Sequence, residues 1–265
     1  QGKECEKVHL YAYLNASFQT GYKNPIDEAI IKSKPYDIFT YDKLDEIPYD
    51  FKRKKLSILA SSEQGSLLIT KGAFEKVLAI CSLIETKDGK KVPVQALKEE
   101  ITARFYSYSK RGFRILGLAY KEMTDRTIIT LEDEKELTFL GLLVFYDPPK
   151  EGVETVIANL RELAVAIKII TGDNKYVASA IGENLGIAAS EIVTGPEIRE
   201  MSDEALVPVV EATDIFAEVE PNQKERLILA LKRNNEVVGY LGDGINDVSA
   251  LHVADVGISV SEAVD

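Results

Sequence analysis

Apolar and polar residues follow a mixed pattern in the first half of the chain. Between residue 1 and about residue 136, short apolar runs of strand length stand among helical segments. The pattern predicts helices at 25–31 and 94–110 and strands at 56–60, 66–70 and 113–120. The polar stretch 61–65 has the length and composition of a hairpin turn. This half is therefore predicted to be an α+β unit with an antiparallel sheet.

From Leu137 the pattern changes to a regular alternation of strands and helices. Strands are predicted at 138–145, 165–170, 191–194, 214–218, 236–241 and 255–260, and helices at 150–163, 175–185, 202–210, 221–234 and 246–254. Alternation of this kind predicts a parallel sheet with helices on both faces. In such a sheet ligands bind beyond the carboxyl ends of the strands, so polar side chains at those ends are candidate site residues.

The most informative strand end is the sequence Gly-Asp-Gly-Ile-Asn-Asp at 242–247. Asp243, Asn246 and Asp247 place two carboxylates and an amide together, and Gly242 allows close approach of the backbone to a ligand. Oxygen ligands of this kind suit Mg²⁺, and a helix that begins here would direct free N–H groups at a phosphate. The alternative is an ordinary acidic turn with an asparagine cap.

A second acidic turn follows the predicted strand at 165–170. Thr171, Gly172 and Asp173 fall on the same sheet edge as the 242–247 turn, which predicts a single site there. Lys224 lies in the first turn of a predicted helix, where a cation opposes the helix dipole unless it meets an anion. Taken singly, the turn could be purely structural and the lysine simply solvated.

Composition excludes several classes of partner. The 43 acidic and 32 basic residues give a net charge of −11, which leaves no basic excess for a nucleic acid or an anionic membrane. The longest nearly apolar run has ten residues, about half of what a membrane-spanning helix needs. The two cysteines are far apart in sequence and predict neither a metal site nor a disulfide, which fits a reducing cytoplasm.

These motifs, in this order and spacing, resemble the cytoplasmic signature of P-type cation-transporting ATPases. The segments that carry the resemblance are Thr171–Asn174, Pro221–Lys224, Gly242–Asp247 and Lys71–Ala73, together with Asp147–Pro149, which is similar to the hinge between the nucleotide-binding and phosphorylation domains. Residues 13–21 and 45–51 are most similar to the bacterial magnesium-translocating branch.

The resemblance implies a phosphoryl-transfer site with defined roles. Asp243 would hold Mg²⁺ with support from Asp247, and Lys224 would neutralise developing charge. Thr171 and Asn246 would bond phosphoryl oxygens, and Asp173, next to Gly172, would help to place the nucleotide and the metal. Elementary chemistry asks for the same groups, because phosphoryl transfer depends on positioning and charge neutralisation.

The resemblance also implies an ATP pocket in the first half of the chain. Tyr49 matches the aromatic side chain that stacks on adenine, and Lys54 follows five residues later. The other matched residues are Lys71 and Gly72, Arg114 on the phosphate side and Asp27 near the adenine amino group. One aromatic ring and three cations in an acidic chain supply what ATP requires. Without the resemblance, Tyr49 would be interpreted as a strand aromatic and Lys71 as a turn lysine.

The chain departs from the family in one respect: it does not contain the Asp-Lys-Thr-Gly-Thr motif that carries the phosphorylated aspartate. Asp147 is a poor substitute because two prolines follow it. We therefore expect a nucleotide-binding domain at 1–145 and a phosphorylation domain at 146–265 that lacks its nucleophile strand. The resemblance implies a haloacid dehalogenase-like, Rossmann-type sheet for the second domain.

The expected partners follow from the same resemblance. They are ATP, the actuator and membrane domains of the full-length protein, and a cation, most simply magnesium, carried by the membrane helices. The chain would then act at the cytoplasmic face of a membrane protein. Two alternatives remain open at this point: a soluble haloacid dehalogenase-like phosphatase, and an ATP-binding module without catalytic activity.

Overall fold

The computed structural model describes residues 5–21, 24–62, 65–124, 126–187 and 191–264; the side chains at 62, 243–245 and 260–264 are outside this description. The chain divides into two compact units. The first unit comprises residues up to Tyr108 together with Arg114–Phe145, and the second comprises Ser109–Phe113 together with Tyr146 onward. Each unit is described separately below.

The first unit is built around one seven-stranded sheet. Its elements in chain order are α1 (Glu6–Phe18), α2 (Pro25–Ser33), β1 (Asp42–Asp50), β2 (Lys55–Ser62), β3 (Gly65–Ala73), α3 (Phe74–Leu78), β4 (Cys81–Glu85), β5 (Lys91–Pro93), α4 (Lys98–Ser109), β6 (Arg114–Met123) and β7 (Leu137–Phe145). The strand order is β1-β2-β3-β6-β7-β4-β5. Every neighbouring pair is antiparallel except β4 and β7, so the predicted mainly antiparallel sheet is confirmed.

Side chains from the two faces of this sheet enter different cores. Ile58 and Ile69 pack with Leu14 of α1 and Ile30 of α2. Leu59 and Leu68, one position away, pack instead with Ile47, Met123 and Ile129. Because strand residues alternate between faces, Lys71 shares the helix-covered face with Ile69. Ser57 and Thr70 share the other face with Leu59 and Leu68.

Helix α1 was not predicted, and two predictions for the first unit need correction. The helix expected from 94 begins as a 3-10 turn, Val94–Ala96, and α4 starts only at Lys98, because Leu97 has a φ of −129° that interrupts the helix. Strand β7 was placed at the start of the alternating half, but it pairs with β6 in the first sheet. An apolar run shows that a strand is buried without showing which strand is its neighbour.

The second unit contains short parallel strands and helices. Its elements are α5 (Val153–Glu162), β8 (Ile169–Ile170), α6 (Lys175–Asn184), β9 (Ile192–Thr194), α7 (Gly195–Glu200), α8 (Asp203–Ala212), β10 (Ile215–Ala217), α9 (Pro221–Arg233), β11 (Gly239–Gly244), a 3-10 turn (Ile245–Asp247), α10 (Val248–Val253) and β12 (Val256–Val264). All strand pairs in this unit are parallel. Phe216 of β10 packs on α7, α8 and α9, while its neighbours Ile215 and Ala217 pack on α5 and α6, so helices cover both faces of that strand.

The strands of the second unit form two separate ladders, β8-β10-β9 and β11-β12, where a single sheet was predicted. Ile170 at the end of β8 packs against the same apolar cluster as Val238 and Tyr240, so this end of β8 lies close to β11. Strand β8 covers only the last two of the six predicted residues, and α7 was not predicted. In the described part of the chain, no helix is both long enough and apolar enough to span a bilayer.

Candidate phosphoryl-transfer and nucleotide sites

The Thr171–Asp173 turn is fastened to the segment that leads into α9. The backbone N–H of Thr171 donates to Phe216 O at 2.9 Å, and Val219 N donates to Thr171 O at 3.0 Å. Glu218 N donates to Asp173 O at 2.8 Å. Within the turn, the Asp173 N–H donates to Thr171 Oγ1 at 3.1 Å. The turn therefore lies beside the start of α9, although its residues are 50 positions earlier.

Lys224 and Asp247 form the best-defined polar contact at this edge. Lys224 Nζ donates to Asp247 Oδ1 at 2.6 Å, and the Tyr240 hydroxyl donates to the same oxygen at 2.8 Å. The lysine and aspartate side chains are only 13% and 8% exposed. Since α9 carries Lys224 and β11 carries Tyr240, this contact joins two elements that sequence analysis had linked only by resemblance.

Gly242 has a steric role at this contact. A Cβ atom on Gly242 would lie 2.7 Å from Asp247 Cβ and 2.9 Å from Asp247 Oδ2, distances that real Cβ atoms do not show. Its φ is outside the left-handed region, so a sharp turn is not what requires glycine here. Glycine is needed because the Asp247 carboxylate packs directly on the strand backbone.

The remaining predicted residues of this edge are less constrained. Asn246 is exposed in the 3-10 turn before α10, and Gly172 has room for a Cβ atom. The side chain of Asp243 lies outside the described residues. Among the residues whose side chains are described, no group of three acidic, histidine or cysteine side chains could hold a metal ion. The described residues thus do not complete a Mg²⁺ site, and Asp243 and Asp247 remain predicted ligands.

In the first unit, Asp27 and Lys71 form a buried ion pair. Both side chains are about 5% exposed or less, and Lys71 Nζ donates to Asp27 Oδ1. Gln19 Nε2 donates to the other carboxylate oxygen of Asp27 at 2.8 Å. Burial lowers the pKa of Lys71, and the Asp27 charge and hydrogen bond oppose that shift. The structure thus joins two predicted pocket residues that are 44 positions apart.

Lys54 and Gly72 meet through their backbones. A Cβ atom on Gly72 would approach Lys54 O and would lie 2.5 Å from Lys55 Cβ. The carbonyl of Lys54 accepts a hydrogen bond from Ala73 N at 2.8 Å, and Lys54 adopts a left-handed φ of 53°. Gly72 is therefore needed where β3 presses against the turn that follows β1.

Tyr49 and Arg114 lie at strand ends in this unit. The ring of Tyr49 is 50% exposed and makes an edge-to-face contact with Phe51, with ring centroids 5.3 Å apart. Arg114 is the first residue of β6 and pairs with Phe145 of β7. An exposed aromatic face is what stacking on a base requires.

Two residues that form buried polar contacts near the predicted site residues were not predicted. Tyr240 lies in an apolar run, where nothing distinguishes its hydroxyl from that of any core tyrosine. Glu134 lies in an acidic stretch for which no element was predicted, yet it is 5% exposed and accepts hydrogen bonds from Arg53, Lys55 and Ser57. Neither position carries a motif that could have revealed it.

Comparison with known proteins agrees with this arrangement. Residues 26–152 match the family model described as P-type ATPase, cytoplasmic domain N. The chain belongs to the P-type ATPase family. It is 38% identical over 274 aligned residues to magnesium-transporting ATPase, P-type 1, of Salmonella typhimurium and 36% identical over 272 residues to the protein of that name in Escherichia coli. It is also 33% identical over 275 residues to a calcium-transporting ATPase of Listeria monocytogenes.

These relatives are much longer than the chain. Each of the three alignments covers 100% of the chain but only 29–30% of the relative. The predicted family and its resemblance to the magnesium branch are confirmed. The matched domain is a cytoplasmic one, in agreement with the predicted position at the cytoplasmic face of a membrane protein. The predicted roles of individual site residues stay predictions.

Proposed function

We propose that the chain is the ATP-binding and phosphoryl-transfer portion of a P-type ATPase that couples ATP hydrolysis to cation transport, with magnesium as the transported ion. The proposed role in phosphoryl transfer rests on one arrangement of residues: backbone hydrogen bonds hold the Thr171 turn beside the start of α9, and Lys224 of α9 contacts Asp247. Similarity to magnesium-transporting relatives supports the choice of ion.

In this proposal the second unit stabilises charge on a transferring phosphoryl group. Lys224 supplies a positive charge that Asp247 and Tyr240 hold in place, and Thr171 and Asn246 supply donors to phosphoryl oxygens. Asp173, which follows Gly172, keeps the turn closed through its N–H bond to Thr171. Mg²⁺, when bound with Asp243 as ligand, would neutralise phosphate charge.

The nucleotide would bind to the first unit. Tyr49 offers an aromatic face for adenine, while Lys54 and Arg114 supply charge for the phosphates. The Asp27–Lys71 pair, next to Gly72, forms a buried polar group: the adenine amino group could donate a hydrogen bond to Asp27, and a ring nitrogen could accept one from Lys71. The actuator and membrane domains of the whole protein would complete the transport cycle.

We assign the second unit to the haloacid dehalogenase-like fold, in which a further strand carries the nucleophilic aspartate. Parallel strands covered by helices on both faces and acidic turns at the strand ends support this assignment.

Calorimetry with ATP tests the nucleotide site. We expect the 265-residue chain to bind ATP and Tyr49→Ala to weaken binding about tenfold, through loss of roughly 1–3 kcal/mol of base stacking. Phe39→Ala is the matched control, because Phe39 is 96% exposed and is not assigned to the pocket. Equal affinity of Tyr49→Ala and the wild type would refute the pocket.

A labelling experiment separates the proposal from a free-standing phosphatase. Incubation of the chain with γ-³²P-labelled ATP should leave no hydroxylamine-sensitive phosphate on it, because an acyl phosphate needs a nucleophilic carboxylate. A longer product of the same gene that includes the Asp-Lys-Thr-Gly-Thr motif should be labelled. Labelling of the chain at Asp147, or turnover of small phosphoesters by the chain, would favour the phosphatase alternative.

A further inference from the structure

Glu134 is the centre of a buried ionic cluster in the first unit. Its side chain is 2% exposed. Both carboxylate oxygens accept from Arg53 Nη1 at 2.9 Å, one of them also accepts from Lys55 Nζ at 2.5 Å, and the other from Ser57 Oγ at 2.7 Å. Ser57 Oγ lies 2.7 Å from Thr70 Oγ1, which extends the cluster to β3.

Two of these partners belong to the hairpin turn that joins β1 to β2. Arg53 lies in the turn and Lys55 is the first residue of β2. Glu134 comes from a distant segment, since it follows the 3-10 turn Leu131–Asp133 and is 81 positions from Arg53. A buried carboxylate that pairs with one cation in a short turn and another at the start of the next strand restrains the conformation of that turn.

Arg53 transmits this restraint to the residue before Tyr49. Its Nη2 donates to Pro48 O at 2.6 Å, and its backbone N–H donates to Asp50 Oδ1 at 2.7 Å. Arg53 thus connects Glu134, through its guanidinium, with the two residues that flank Tyr49: with Pro48 through the guanidinium and with Asp50 through the backbone N–H. A side chain that is 50% exposed, like Tyr49, has few contacts of its own to fix its backbone.

The same turn also holds Lys54 in position. Lys54 lies between the two cluster cations in sequence, has a left-handed φ of 53° and donates its N–H to Asp50 O at 2.6 Å. A left-handed conformation is unfavourable for a non-glycine residue, so surrounding contacts must maintain it. The ionic cluster supplies those contacts on one side, and Gly72 packs on the other.

We propose that Glu134 is a positioning residue for the nucleotide pocket: through Arg53 and Lys55 it fixes the hairpin turn that presents Tyr49 and Lys54 to ATP. The inference rests on the proposed function, because it assumes that ATP binds at this hairpin. It goes beyond that function by assigning a role to a residue that has no contact with the proposed ligand.

A double-mutant cycle on ATP affinity tests this role. Glu134→Gln alone should weaken ATP binding about tenfold, and Tyr49→Ala should have an effect of similar size. Because Glu134 would act through the hairpin, Glu134→Gln should lose most of its effect in the Tyr49→Ala background, which is a coupling of about fivefold or more. A control cycle pairs Glu134→Gln with Asp27→Asn, on the opposite sheet face, and should be additive.

A second variant covers the case in which Glu134→Gln does not fold. Glu134→Gln combined with Lys55→Met removes one charge of each sign, which avoids an uncompensated buried lysine. Glu132→Gln, an exposed acidic residue in the adjacent 3-10 turn, is the surface control and should bind ATP like the wild type. The folded double variant should show the same loss of ATP affinity and the same coupling to Tyr49→Ala.

The outcomes separate the inference from the proposed function. If the wild-type chain does not bind ATP, the proposed function fails. If the wild type binds ATP and the folded Glu134 variants bind equally well, the inference fails while the proposed function stands. Additive losses of ATP affinity in the Glu134–Tyr49 cycle would also overturn the inference, because they would show that Glu134 affects ATP affinity without acting through the hairpin.

Discussion

Replacement of Gly242 by alanine tests the close contact on which the second-unit site depends. The added Cβ would lie 2.7 Å from Asp247 Cβ, whereas carbon atoms pack best at about 3.5–4.0 Å. Either the strand or Asp247 must therefore move by about 1 Å. A movement of Asp247 would stretch its 2.6 Å bond from Lys224 beyond normal hydrogen-bonding distance.

The expected cost combines two effects. Overpacking costs typically about 1–3 kcal/mol, and the weakened charge-assisted bond adds about 1.5–3 kcal/mol if it is lost completely. Because Asp247 can relax partly, neither the overpacking cost nor the cost of the weakened Lys224 bond should apply in full. We therefore expect Gly242→Ala to destabilise the second unit by about 2–4 kcal/mol. Gly239→Ala in the same strand should have a much smaller effect, because the nearest atom to its Cβ would be 4.0 Å away.

Amide hydrogen exchange measures this cost within one unit, which matters because a chain of two units need not unfold in a single step. Protection of the core amides of α9 and β11 should fall by a factor of about 30 or more in Gly242→Ala. Their protection should be nearly unchanged in Gly239→Ala. Equal losses in the two variants would refute the steric reasoning, because helix and strand propensity alone would then explain both.

Three further predictions concern single contacts. Burial raises the pKa of Glu134, but hydrogen bonds and neighbouring cations lower the pKa overall. The Glu134 carboxylate therefore stabilises the folded state fully above its ordinary pKa of 4.5, and this stabilisation is lost as the pH falls below that value. Acid unfolding of Glu134→Gln should accordingly show a flatter pH dependence than that of the wild type. Lys71→Met should destabilise the first unit by about 3–5 kcal/mol in urea unfolding, and adding Asp27→Asn should recover part of that loss, because the single change leaves a buried carboxylate unpaired. Tyr240→Phe should cost about 1–2 kcal/mol in hydrogen-exchange protection of the second unit, since it removes one bond to Asp247; an unchanged value would show that the bond is not formed in solution.

Local patterns predicted most element types but not their partners. The hairpin of β2 and β3, helix α2 with its proline and asparagine cap, and the helices α6 and α9 all follow from spacing and capping residues. Strand pairing depends on contacts between distant residues, which is why β7 was grouped with the alternating strands although it pairs with β6 and lies within the expected first domain, 1–145. The break at Leu97 is a backbone detail that helical periodicity does not encode.

In the candidate sites too, motifs were predictable from the sequence, whereas burial and contacts between distant residues were not. Lys224 and Asp247 stand in recognisable motifs, and a 2.6 Å contact joins them in the structure. The burial of Lys71 could not be predicted, because a lysine before a glycine is usually exposed and only its pairing with Asp27 permits burial. Glu134 could not be predicted either, since its partners are 77 or more positions away in sequence.

From the sequence, Gly242 is explained by close approach of the backbone to a ligand, and Gly72 only by its match to a pocket motif. The structure supports a different reason for both. Each lies in a strand, and at each a Cβ atom would collide with a neighbouring segment: the Lys54 turn in one unit and the Asp247 side chain in the other. The backbone must approach closely because a charged residue of the proposed site is held on the far side of the contact. A glycine next to a charged motif residue can therefore mark a position that holds a site residue in place, not a surface that contacts the ligand. Substitution of Gly72 or Gly242 should accordingly displace the neighbouring charged residue before it alters any direct contact with ATP or phosphate.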